Sequence, residues 1–424
     1  MPEGGTRGTS KTTHPSQHPP EEGTNQMTAS KANAEEILKE DYKPVIREQL
    51  NNKFFMLEIA TQNTDDVEGI EAVLSTHMAR NSGVGARGEL RSLPTAGRQV
   101  HKKSRIPLKS NYGTVKISGQ LLRASASDRG SFARGLKVEV EGVVKDLKRD
   151  VNRQCSTPPS GAIGIIVGAA TTTSAGLTSA APARRLEPGN RYDLVDGTTD
   201  ALVQTVDLVS VVISTKTITF TLVADGPEAA ADGDRIVNHG LIPSAEEEIT
   251  GIESIFDASG EVFGINPSTW PRWASYEEAV SGLPTDTVFE RAADEVSLAT
   301  GEEIDAIVTS YEVARTFAST LKSQKRFNAE GDLFGGFKVL KVNTPRGSFA
   351  LRSERDAETQ EAYGLTSKAL IHYFASDWEF MDEDGNMLDR TPGQDAYEAV
   401  LFKYHELSTD QRNAHFKLTG LTVV

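Results

Sequence analysis

Apolar residues along this chain repeat most regularly between residues 132 and 151. Phe132, Leu136, Val140, Val143, Leu147 and Val151 stand four, four, three, four and four apart, which makes one stripe of an α-helix. Arg134, Lys137, Glu141, Lys145, Lys148 and Arg149 fall on the opposite side. The spacing predicts a helix capped at Asp128 or Ser131 and running to about Gln154. Gly135 and Gly142 each cost about 1 kcal/mol relative to alanine inside a helix, so tertiary packing has to hold it, as a spine laid on a sheet.

Upstream, residues 1–26 are glycine-, proline- and threonine-rich with no apolar period, and disorder is expected there. Residues 31–50 carry Ile37, Leu38, Tyr42, Val45, Ile46 and Leu50 at helical steps, with a kink expected at Pro44. Residues 54–59 read as a short strand and 67–78 as a second helix, with Val67, Ile70, Val73, Leu74 and Met78 inward. Residues 115–121 alternate as a strand.

Downstream, residues 156–183 are small and weakly polar and read as a linker. Four Val/Ile/Thr-rich strands follow at 191–195, 202–214, 217–223 and 234–237, parted by Asp-Gly turns. From 246 onward the pattern is mixed. Helices are expected at 276–300 and 311–327. Strands are expected at 304–309, 337–342, 348–352, 369–375, 378–381, 398–407 and 415–424, with a loop at 382–393.

The 424 residues suffice for two or three domains. A net charge of −15 argues against tight wrapping of nucleic acid, which needs a basic face. A single cysteine, Cys155, excludes an internal disulfide and a cysteine-based zinc site. No apolar run has the length of a membrane span, and no secretion signal opens the chain, so the protein is expected in the cytoplasm where it is made.

Motifs for chemistry are scarce. There is no phosphate-binding loop, and Gly161-Ala-Ile-Gly164 lacks the rest of a dinucleotide fingerprint. His405-Glu406 has Thr409 where a zinc-protease helix needs its second histidine. No nucleophile elbow occurs. The stretch from Asp382 to Asn386 places its glycine fourth rather than sixth, so an ordinary turn is preferred to a calcium loop. His101, His239 and His372 are isolated, and Trp270 and Trp273 read as core or subunit contact. No cofactor or metal is expected.

One segment departs from the rest. Residues 87–109 hold Arg87, Arg91, Arg98, Lys102, Lys103, Arg105 and Lys109 against Glu89 alone. The local charge is +6, which leaves −21 for the remainder. Leu93-Pro94, Gly97, Ile106-Pro107 and Tyr112-Gly113 divide it into two extended segments with a flexible tip, too long for a compact hairpin. Such an arm orders by lying across a neighbour, and the acidic neighbour at hand is another copy of the chain.

In the order of its parts the chain resembles the major capsid proteins of tailed bacteriophages, of the HK-ninety-seven type. The resemblance rests on GARGELRSLPTAGRQ in the arm, the return PLKSNYGTVKISGQLLRAS, the helix end DLKRDVNRQ and the later GIESIFDASGEVFGINPSTWPRW. It implies an α+β fold with an N-terminal arm, an extended loop, a peripheral domain with the spine helix, an axial domain and an inserted small β-rich domain. The implied layout is a tail at 1–26, an N-arm at 27–65 and a peripheral domain at 66–155 with its extended loop at 82–114. A linker at 156–183, the insertion at 184–240 and the axial domain at 241–375 follow. The peripheral return is 376–404 and the C-terminal axial strands are 405–424.

Functionally it implies a structural protein, not an enzyme, assembled in the host cytoplasm into hexamers and pentamers of an icosahedral head around double-stranded DNA. Scaffolding and portal proteins, a decoration protein and weak non-specific contact with the DNA are the expected partners, with no membrane. The basic loop residues are the implied inter-subunit contact. Asp377, Glu379, Asp382, Glu383, Asp384 and Asp389 are the candidate receiving surface. Two other classes stay open from the residues: an encapsulin-like compartment and a tail or adhesion protein.

Overall fold

The computed structural model describes residues 55–120, 129–168, 170–224, 230–323, 330–333, 337–344, 347–381 and 389–423. The tail at 1–26, the helix at 31–50 and the acids Asp382, Glu383 and Asp384 lie outside them.

The spine helix spans Arg129–Gln154 and lies on the strand Lys109–Ser118. Gly113 explains the close approach. A Cβ there would fall 2.4 Å from Leu147 Cδ1 and 2.8 Å from Val143 Cγ1, two residues of the predicted stripe. The sheet beneath is built on one long strand, Ala396–Thr409. Along one edge it pairs antiparallel with Lys109–Ser118 over ten positions, from Ala396↔Ser118 to His405↔Lys109. Its other edge takes Leu370–Phe374, Glu379–Phe380 and Asp389–Arg390 in turn. Thr61–Asn63 adds a parallel strand outside Leu370–Phe374.

A second, seven-stranded sheet runs in the order Tyr276–Ala279, Phe416–Thr419, Ala362–Leu365, Ala306–Thr309, Gly347–Ser353, Phe337–Thr344, Glu330–Leu333. The helices Asp286–Thr300 and Tyr311–Ser323 cover it, burying Phe289, Val296, Val313 and Phe317 against Phe349, Leu351 and Phe416. Thr285 caps the first helix through its side chain, and Gly301, at φ 84°, ends it. Met56, Val151, Cys155, Ile255, Phe256, Val308, Tyr363 and Leu407 form one core that joins the end of the spine helix to both sheets.

The β-rich insertion is a closed barrel of six strands: Thr217–Ala224, Ser174–Leu177, Gly164–Val167, Arg235–Asn238, Arg191–Val195 and Leu202–Val212. Four of these are the strands expected from the sequence. The other two come from the stretch expected to be a linker, where GIIV and SAGL complete the barrel and Ala180–Arg185 forms a helix. Closure leaves no open edge, which is why so short a module is stable.

Several expected elements are corrected. Residues 54–59 are not a strand; Phe55–Ile59 is a helix. Residues 67–78 are not a helix but two strands, Val67–Glu68 and Glu71–Ala79. The apolar spacing there satisfies both periods, and pairing with Val100–Pro107 selects the strand. In 276–300 the first part is the strand Tyr276–Ala279, and the helix begins only after Pro284 and Thr285. The strand Ala362–Leu365, buried throughout and only four residues long, went unread. The strand Ala396–Thr409 runs through the boundary drawn at 404/405, and Leu370–Phe374, placed with the axial domain, pairs with it.

Candidate inter-subunit ribbon

Val67–Glu68, Glu71–Ala79 and Val100–Pro107 make a three-stranded ribbon with two unlike faces. Even-numbered residues face the body. Ala72 and Ile106 are buried with Ile371 and Tyr373, and Met78 with Ile265 and Trp273. The ribbon's edge is tied to the body by Arg105 N–H donating to the Phe263 carbonyl (3.2 Å), while Leu108 N–H donates to the Ile70 carbonyl in the ribbon's own turn (2.8 Å). Odd-numbered residues, Val73, Ser75, His77, His101, Lys103 and Arg105, are all exposed.

Beyond this root, residues 80–99 carry no strand until the chain returns at Val100. The two limbs touch where glycine faces glycine: a Cβ on Gly83 would lie 2.8 Å from the Gly97 nitrogen. Asn81 Oδ1 accepts from the Gly83 amide at 2.7 Å and holds this neck. At the tip, Arg91 N–H donates to the Gly88 carbonyl (3.3 Å) around Leu90, whose φ is 61°. A left-handed leucine costs about 1–2 kcal/mol. This one is fully exposed, and Leu93 and Val84 are 83% and 82% exposed. Three large apolar side chains therefore stand in solvent on a strained, protruding loop, where a partner would cover them.

The seven basic residues divide between root and tip. Arg105 pairs with Glu71 (2.8 Å), Lys109 donates to the Glu246 carbonyl, and Lys102 stands 5.0 Å over the Trp270 ring. Among the described residues, Arg87 donates to the carbonyl of Ala86 next to it and to no carboxylate. Among the described residues Arg91, Arg98 and Lys103 have no carboxylate partner.

On the acidic side, Asp377 is already engaged. It pairs with Lys403 (3.1 Å), and the Trp378 amide, then Lys403, hold its carboxyl below the usual range. Glu379 and Asp389 lie exposed on the two short strands beside Ala396–Thr409, opposite Phe402 and Glu398.

A second polar constellation had no signal in the sequence. Arg149 forks onto Asp356 (2.6 and 3.0 Å), and Asn152 Nδ2 donates to Glu354 (3.2 Å). Asn152 Oδ1 accepts from the Met56 amide (3.2 Å), and Arg185 Nε donates to the Asp356 carbonyl (3.0 Å). The helix Phe55–Ile59, the spine helix, the seven-stranded sheet and the barrel meet at this point. Burial, then the charge of Asp356, pushes the Glu354 carboxyl up to about 7. Burial likewise pushes Glu406 up to about 8. These groups join structural elements of the fold. No cluster of three or more metal-ligating side chains exists among the described residues.

No family model matches the sequence, and no curated protein matches it. Solved structures do. The chain is similar to the capsid asymmetric unit of cyanophage A-1(L), with a TM-score of 0.53 and 12% identity over 91% of this chain and 98% of that one. The SrpI encapsulin of Synechococcus elongatus PCC 7942 follows at a TM-score of 0.49 and 8% identity, over 94% and 98%. The capsid of a native GTA particle gives 0.47 and 10%, over 93% and 99%. At these identities the cyanophage likeness establishes the fold: the chain has the α+β fold of a phage capsid subunit, as the resemblance implied.

Proposed function

We propose that this chain is the major subunit of a phage head, self-assembling as hexamers and pentamers into an icosahedral shell around double-stranded DNA. The observation that carries this is the ribbon. Its root is fixed on its own body, while its glycine-necked tip holds Leu90, Leu93 and Val84 in solvent beside Arg87 and Arg91. A tip folded back on its own subunit would have spoken against a shell, and this one projects. The capsid fold over nearly the whole chain supports the same role.

On this proposal the tip crosses a neighbouring subunit, and the exposed acids Glu379 and Asp389, with Asp382, Glu383 and Asp384, receive the basic residues. Exposed ion pairs contribute only about 0–1 kcal/mol each, so the apolar tip supplies affinity and the charges select register. Scaffolding and portal proteins, a decoration protein and weak contact with packaged DNA belong to the same proposal, as does a place in the virion.

Negative-stain microscopy of the purified full-length chain tests it. Closed particles are expected, and replacement of residues 84–96 by two glycines should abolish them while the subunit stays folded. Monomers persisting at high concentration would refute the proposal.

A further inference from the structure

We propose that the outer face of the β-barrel is a second contact between copies of this chain, in which one barrel packs face to face on the same surface of a neighbour. The ribbon takes no part in it, and it rests on the shell proposal only for the presence of neighbours. The face is continuous across four strands. Val167 is registered with Gly176, Gly176 with Thr217, and Thr217 with Val212. Two residues along, Ser174, Thr219 and Ser210 stand side by side. Between these rows Ala175 and Ile218 turn into the barrel core, so both rows point outward.

Charge singles this face out. The strands GIIV, SAGL and TITFTLVA hold no charged residue, in a chain that is 25% charged and carries −15. The fourth strand contributes Asp207 alone, which Arg191 holds from the next strand (2.7 and 3.0 Å). Val167 and Val212 are nonetheless 50% and 44% exposed. The solvent side of an antiparallel sheet is ordinarily polar, so exposed valine among uncharged neighbours marks a contact surface. The two remaining strands turn the other way. Tyr192 and Asn238 border a cavity together with Arg149 and Arg153 of the spine helix. Arg184 donates to the Arg355 and Ala357 carbonyls (2.9 and 3.1 Å) and Arg185 to that of Asp356 (3.0 Å), which fastens the barrel to the body with its four-stranded side free.

The occupant follows from charge and shape. A closed barrel has no strand edge to extend, so a neighbour meets it through a face. Two copies at −15 repel wherever charged surfaces meet, and this face sets no like charge against itself. It also fits itself. Gly176 leaves a dent: among the described residues only the Val167 carbonyl comes near a Cβ placed there (3.1 Å), and Thr217 stands beside it. A two-fold axis along the strands lays Thr217 of one copy over Gly176 of the other, and Val167 over Val212.

The test uses the full-length chain. In one subunit Val167 and Val212 are three strand spacings apart, about 14 Å, too far for a disulfide. The native Cys155 is wholly buried. V167C/V212C, assembled and then mildly oxidised, should give disulfide-linked dimers on a non-reducing gel, and wild type none. V167K/V212K should melt within about 2 °C of wild type, because both positions are exposed. Its threshold concentration for assembly, read by light scattering, should rise about tenfold or more. Closed particles of the cysteine variant without cross-links, or an unchanged threshold for V167K/V212K, would overturn this inference and leave the shell standing. Absence of association by wild type at any concentration would overturn the shell proposal, and this inference with it.

Discussion

Gly83 and Gly97 meet across the neck of the ribbon so closely that a Cβ on Gly97 would stand 2.9 Å from the Gly83 nitrogen, and closer still to Asn81 Oδ1 and Ser82 Oγ. Two chain limbs can run this near each other only without side chains. Gly97→Ala should therefore spread the neck and redirect the tip, leaving the cores far below untouched. Its melting temperature should stay within about 2 °C of wild type, since the strain is confined to a protruding loop. Hydrogen exchange at residues 80–99 should quicken, and the assembly threshold should rise about tenfold or more. A substitution that left both unchanged would show that the neck does not aim the tip.

Leu90 offers the complementary test. Its positive φ is strained for leucine and natural for glycine, so Leu90→Gly should not lower, and should slightly raise, the stability of the free subunit. The same change removes a fully exposed side chain that only a partner can bury. Melting unaltered or higher by about 1 °C, with an assembly threshold raised severalfold, is the expected pair of results. Unimpaired assembly would mean that the strain at Leu90 serves something else.

How much of this was legible follows from what kind of signal each feature leaves. The spine helix was readable almost to the residue because Val140, Val143, Leu147 and Val151 repeat without interruption. Four barrel strands were readable from β-branched runs between Asp-Gly turns. The strands Gly164–Val167 and Ser174–Leu177 were not: GIIV is a short β-branched run set in a small, weakly polar stretch, SAGL gives no alternation, and closure of the barrel supplies the partners of both. The strand Glu71–Ala79 was mistaken for a helix because its apolar residues fit either period until Ile106 and Ser104 are known to lie opposite. At the candidate interface the sequence marked the basic residues and Gly97. It could not separate the anchored Lys102, Arg105 and Lys109 from those left free in the tip, because the anchors lie up to 168 residues away, at Trp270. The junction of Arg149 with Asp356 is invisible for the same reason: its partners are 207 positions apart.

That junction gives a stability prediction. Asp356 is wholly buried and its partner Arg149 nearly so, and Glu354 lies beside them. Removing one member of a buried pair leaves an uncompensated charge and typically costs about 3–5 kcal/mol. Arg149→Met should lose stability on that scale by chemical denaturation. Arg149→Met combined with Asp356→Asn should recover part of it, because no charge is then stranded. If the double variant is no better than the single one, the fork contributes through packing rather than charge.

The pH dependence of stability follows from buried acids and buried histidines that pull in opposite directions. Burial pushes Glu354 up to about 7 and Glu406 up to about 8, while an unfolded glutamate titrates near ~4.3. Between these values the native state keeps protons that the unfolded chain has lost, so stability falls as pH rises from about 4.5 to 8. Burial pushes His372 and His415 down to about 3. Below about 6.5 the unfolded chain binds protons that these native rings refuse, so their contribution falls as pH drops toward 3. The subunit should be most stable near about pH 5–6 and melt several degrees lower at pH 8.5. Glu406→Gln isolates the alkaline limb: its Oε1 still accepts from the Thr250 and Leu407 amides, yet it cannot ionise. Its melting temperature should fall less than that of wild type between pH 6 and 8.5, and Glu354→Gln should behave alike. A wild-type melting temperature that is flat or rising across that interval would contradict the assignment of both carboxyls as protonated in the folded subunit.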